Sequence, residues 1–156
     1  MVGRTTGRVL EKTRKAPRDT EPVEPITRAL GLTWGSTPVS CPPGLEYYSG
    51  RGYVGAMGPS QFIPSTWVLY ENRLKKALGV SLPNPWDPKT AILATALLME
   101  DNGAAGGSYT AERNAACRYY SGSACSSRGA TVASYGDSVV AKAERFQDDI
   151  DFLKGI

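Results

Sequence analysis

The sequence contains no histidine, only three cysteines, and no apolar run long enough to cross a bilayer. Without histidine, neither a Ser-His-Asp nor a Cys-His centre assembles in cis, and no zinc site draws on imidazole. Acid–base chemistry in this chain would fall to a carboxyl group, a lysine or a tyrosine. Cys41, Cys117 and Cys125 follow no zinc-ribbon or knuckle spacing, so no metal and no cofactor is expected. Cys117 and Cys125 stand eight residues apart, a span that a local disulfide can close in an oxidising compartment; three reduced thiols in a reducing one is the other reading. In the first case Cys41 has no partner within the chain. Met1 to Thr6 has no apolar core of the kind an export signal carries, and the longest apolar-rich stretch, Ala91 to Met99, is too short for a span. Either the protein stays inside the cell or this is the later part of a longer chain, and the odd cysteine favours the second.

What is present is a chain of 156 residues, 41% hydrophobic and 21% charged, the size of one globular domain. Its net charge of +3 belongs to the leading segment: residues 1 to 18 hold six basic side chains against Glu11, and the rest holds 12 basic against 14 acidic. A basic leader of this kind could meet nucleic acid, anionic lipid or an anionic wall polymer, but a solvated or partly ordered leader is the favoured reading, because no aromatics interleave its charges to stack bases. Three segments follow: a leader over 1–18, a short helix and Gly/Pro/Tyr-rich loop over 19–58, and a helical part over 59–156.

The helical reading rests on start and stop signals. Asp19 or Thr20 caps a short helix around Val23 to Leu30, ended by Gly31. Pro64 suits a first helical position, and Trp67, Tyr70, Leu74, Ala77 and Leu78 recur at three and four residues until Gly79. Asp87 before Pro88 caps a helix that is apolar on most faces and stops near Gly103, a pattern for the centre of a bundle. Ala111 to Tyr120 forms another helix. Ser134 with Asp137 reads as a capping box opening a last one that runs to about Lys154. No alternating strand pattern competes, so the expected fold class is all-α.

The segment Gly50 to Trp67, GRGYVGAMGPSQFIPSTW, carries the most chemistry. Gly55 and Gly58 permit backbone conformations and close approaches that a side chain blocks. Gln61 stands at a turn before the Pro64 helix, offering donors and an acceptor beside Tyr53, Met57 and Phe62. An amide among apolar and aromatic groups suits a sugar, with hydroxyls at its edge and C–H groups on its face. The competing reading is a tight loop whose glutamine satisfies backbone groups.

GAMGPSQFIPSTW, followed by NPWDPKTAILATALLMEDNG, resembles the lytic murein transglycosylases, especially the B-type membrane-bound family within the lysozyme-like superfamily. The matching positions are Gly55, Ala56, Met57, Gly58, Gln61, Phe62, Pro64, Ser65, Thr66, Trp67, Trp86, Asp87, Pro88, Asn102 and Gly103. Arg118-Tyr119-Tyr120-Ser121-Gly122 looks like the tyrosine-bearing helix end that such enzymes place over their cleft, although core packing is an equal reading for Tyr119. The resemblance implies a lysozyme-like helical domain, a cell-envelope or extracellular location and peptidoglycan glycan strands as partner. It also implies non-hydrolytic cleavage of the MurNAc-β-1,4-GlcNAc bond to a 1,6-anhydromuramic end. A single glutamate does this work in the family, protonating the leaving oxygen and then taking the proton of the sugar's own 6-hydroxyl, so the missing histidine is no obstacle.

That glutamate sits in a pattern like E-S/T-x-x-G before the G-A-M-G segment, and residues 1–54 hold no such pattern. Glu46 is the one acid near the expected cleft, on a loop that would hold a general acid poorly. The expectation is therefore a chain that begins downstream of its acid, carrying the sugar-binding half: Gln61, Met57, Gly55, Gly58, Tyr53, Phe62 and Tyr119. A non-catalytic peptidoglycan-binding or wall-associated module is the alternative, with the basic leader on anionic wall polymer, and an interaction protein on the same scaffold is the third. Glu71 is expected to pair with Lys75, and Asp87 to serve as a cap.

Overall fold

A computed structural model describes residues 23–32, 39–40, 55–127 and 129–155. The basic leader, the caps expected at Asp19 and Thr20, and Cys41, Glu46 and Tyr53 lie outside the described residues. What is described is mostly helical, with little strand. The chain divides into two compact units, Met1–Thr95 and Ala96–Ile156.

The first unit contains α1 (Glu24–Ala29), a two-residue antiparallel pairing of β1 (Val39–Ser40) with β2 (Ala56–Met57), α2 (Pro64–Leu78) and the first part of α3 (Pro88–Asp101). Helix α1 follows Val23 with no side-chain cap; Val23 is buried just before it and Thr27 within it. Helix α2 begins on Pro64, whose missing N–H belongs to the first turn in any case, and ends at Gly79 in the left-handed conformation. Trp67, Tyr70 and Leu74 are its buried stripe, and Glu71 pairs with Lys75 at 3.5 Å. At the head of α3, Asp87 accepts from Thr90 N at 2.8 Å and from Thr90 Oγ1 at 2.6 Å. Those two bonds, the hydroxyl's first, hold the Asp87 carboxyl below its ordinary range.

Helix α3 is apolar all round in composition, but only Thr90, Ala91 and Ala94 are buried. Ile92 is 69% exposed, and Leu93, Leu97, Leu98 and Met99 are half-buried. Close packing is made by its small residues, and its large ones flank that contact, so this is not the fully covered helix the sequence suggests.

The second unit holds the end of α3, a 3-10 turn (Ala104–Gly106), α4 (Tyr109–Ser121), a second 3-10 turn (Cys125–Ser127) and α5 (Ala130–Lys154). Ser108 caps α4 by accepting from Ala111 N at 3.2 Å, so the helix starts at Tyr109, two residues before the Ala111 expected from sequence. Cys117 and Cys125 form a disulfide with a Cα–Cα distance of 5.2 Å, and both are buried beside Val132. Arg118 donates to the Asn102 carbonyl at 2.7 Å, fixing the end of α3 to α4.

The Ser134/Asp137 capping box does not exist. Helix α5 begins at Ala130 after Gly129, so Ser134 and Asp137 lie within it. The Asp137 carboxylate is taken instead by α4, where it binds the Arg113 guanidinium and accepts from Tyr109 Oη at 3.0 Å. Arg113 first, then Tyr109, hold that carboxyl below its usual value, and the same contact raises the Tyr109 phenol above its own. Gly136 is a point of close approach between these helices. A Cβ there would lie 2.6 Å from Cys117 Sγ and 3.0 Å from both Cys125 Sγ and the Arg113 carbonyl.

Candidate functional site

Residues 57–62 form a closed loop. Met57 N donates to the Phe62 carbonyl at 2.8 Å and Phe62 N to the Met57 carbonyl at 3.2 Å, leaving Gly58, Pro59, Ser60 and Gln61 between them. The sequence dictates how this loop is seated. Met57 and Phe62 are apolar and turn inward, at 0% and 3% exposure. Phe62 meets the Trp67 ring edge-on at a centroid distance of 5.5 Å and the Tyr70 ring at 6.1 Å, so the first turns of α2 form the floor of the loop. Met57 and Phe62 therefore support the loop from below, with their side chains buried.

Gly58 provides the closest contact. Its φ is +63°, and a Cβ would stand 1.9 Å from the Pro85 carbonyl oxygen, a position no side chain tolerates. Gly55 also has positive φ, at 124°. On the other side, Ser60 Oγ donates to the Ala91 carbonyl at 3.0 Å and accepts from Thr95 Oγ1 at 2.8 Å, tying the loop to α3. No sequence signal marks Ser60 or Pro85: a serine after Gly-Pro is an ordinary turn residue, and nothing local announces that Gly58 meets a proline 27 positions on.

Gln61 is what this seating presents. It is exposed and has a φ of 54°, the one non-glycine with positive φ among the described residues. For a side chain longer than Asn or Asp this conformation is uncommon and costs of order 1–3 kcal/mol, sustained only where the surroundings impose it. Its Nε2 donates to the Gly58 carbonyl at 2.8 Å, and its own N–H reaches the same oxygen at 3.2 Å. The amide thus does what the tight-loop reading asks, while its Oε1 is unbonded among the described residues and offers an acceptor to solvent.

Tyr119 belongs to the second unit, half-buried near the end of α4. Beside it Tyr120 is exposed and stacks on Tyr135 at 4.6 Å, with 18° between the rings. Burial raises the Tyr135 phenol above its usual value. Glu46 and Tyr53 lie outside the described residues. Asp87 and Asp137 are both held below the ordinary carboxylate range, the opposite of what a general acid requires. Among the described residues no cluster of three His, Cys, Asp or Glu side chains could hold a metal ion. No helix there is long and apolar enough to cross a membrane.

Comparison with protein-family models, with curated proteins and with solved structures finds no match to this chain.

Proposed function

We propose that this chain is the glycan-binding part of a lytic-transglycosylase-like protein of the cell envelope and that it contacts peptidoglycan strands through the 57–62 loop. The observation that carries the reading is Gln61, an exposed amide held at a φ of 54° on a loop locked from three sides. A rigid loop places an acceptor for a sugar hydroxyl with little ordering cost on binding. The order of residues from Gly55 to Gly103 supports the choice of glycan, and the lysozyme-like arrangement of helices is part of the same proposal. Within this sequence, Glu46, which lies outside the described residues, is the candidate for the cleaving acid.

A second reading has its own observation. The Nε2 bond to Gly58 makes Gln61 a component of the loop's internal bonding. Sedimentation of the chain with insoluble peptidoglycan separates the two. Gln61→Ala should reduce the bound fraction several-fold with the melting temperature little changed; unchanged binding refutes the glycan site. Analysis of the muropeptides released in the same incubation tests cleavage. An anhydromuramic product that disappears in Glu46→Gln assigns the acid to this chain, and absence of the product leaves a binding module.

A further inference from the structure

Helix α5 is nearly twice the length of its neighbour. With 25 residues against the 13 of α4, it is about 37 Å long against about 20 Å, so its C-terminal half runs on without cover from α4. Val132, Gly136 and Val140 are buried, whereas every side chain from residue 141 to 155 is exposed. The apolar pattern does not stop where the cover does. Val132, Gly136, Val139, Ala143, Phe146, Ile150 and Leu153 recur at alternating steps of four and three, the 3.5-residue period of a coiled-coil seam. Phe146, Ile150 and Leu153 on that seam are 66%, 45% and 68% exposed.

We infer that this exposed half of α5 is a self-association surface, on which a second copy of the chain lays the same helix in parallel. Three observations select a second copy. The step pattern puts Ala143 and Ile150 at the a positions and Phe146 and Leu153 at the d positions, and Ile at a with Leu at d is the combination that favours two parallel strands. Flanking charges are complementary under the same two-fold operation: Asp149 at g faces Lys154 at e of the other copy, twice per dimer. The remaining flank sets Lys142 against Gln147, so no like charges meet. Lys154 now lies 3.8 Å from Asp151 on its own helix, both exposed, a contact weak enough to exchange. Phe152 is off the seam and stays exposed.

Sedimentation velocity of the full chain, with Cys41→Ser to remove intermolecular disulfides, tests this over about 10 μM to 1 mM, the range in which two short heptads should associate. Concentration-dependent dimer is expected. Leu153→Asp and Phe146→Asp should each weaken it at least about tenfold with helicity by circular dichroism retained, because neither side chain touches the core. Asp149→Lys should weaken dimer and add a salt dependence of opposite sign, and Asp149→Lys/Lys154→Asp should restore it. A monomer throughout, a dimer indifferent to Leu153→Asp, or a double charge variant that fails to restore association overturns the inference.

Discussion

The two units reach a fixed structure by different means. In the first, large side chains do the work: Trp67, Met57 and Leu74 are fully buried, Phe62 meets two rings of α2, and the loop backbone sits directly against Pro85. In the second, the buried positions among the described residues are Ala115, Ala116, Cys117, Cys125, Val132, Gly136 and Val140, which offer little apolar area. A disulfide and a charged contact between α4 and α5 stand in for it. Close approach is used in both, but in opposite roles. At Gly58 it positions an exposed loop, and at Gly136 it lets a helix cover a covalent crosslink. With a core of small residues, a local crosslink is the more effective source of stability.

Gly58→Ala should disrupt the first unit most. It adds a left-handed penalty to a backbone clash, together about 3–5 kcal/mol. Trp34, Trp67 and Trp86 all lie in Met1–Thr95, so tryptophan fluorescence reads this unit alone. Its transition should move to much lower urea concentration; an unmoved transition would mean that the loop is not seated against Pro85.

Replacing Cys117 and Cys125 by serine should cost about 2.5 kcal/mol by the loop-entropy relation for so short a loop. This loss should be visible in far-ultraviolet circular dichroism with little change in tryptophan fluorescence. Gly136→Ala should be more damaging with the disulfide present than in the double serine variant, since two of its three close neighbours are the sulfurs. Equal damage in both backgrounds would remove the disulfide from the account of that glycine.

The smallest effect is electrostatic. Asp137 has a folded pKa below its ordinary 3.8, so its contribution is complete above that value and fades as pH falls through the folded pKa. Tyr109 is raised above 10.0, so its share is complete below that value and is lost as pH rises through the folded pKa. Asp137→Asn should flatten both limbs of the stability profile of the second unit. Salt should weaken the same contribution in the unmodified chain, because the groups are exposed.

The sequence made helix edges legible wherever the signal was local. Pro64 and Gly79 bound α2 as expected, and Asp87 caps α3. It misled where a local motif was outbid by a distant partner. Ser134 and Asp137 have capping-box spacing, but the carboxylate finds Arg113, 24 residues away, and the helix starts earlier. The site was legible as a segment and less so as a surface. Gln61 stands out as an amide at a turn, whereas nothing local announces that Met57 is buried or that the Phe62 ring meets Trp67 and Tyr70. Gly136 was invisible for a similar reason, since only its distance to the two sulfurs explains a glycine inside a helix.

That glycine has a chemical consequence. The two sulfurs are almost wholly buried, Cys117 at 0% and Cys125 at 3% exposure, and α5 lies directly over them at Gly136. Thiol–disulfide exchange needs an attacking thiolate to reach a sulfur, which α5 obstructs while it is docked. The rate at which a small thiol reduces this bond under native conditions is therefore a clock for the lifting of α5, read without unfolding the rest of the protein.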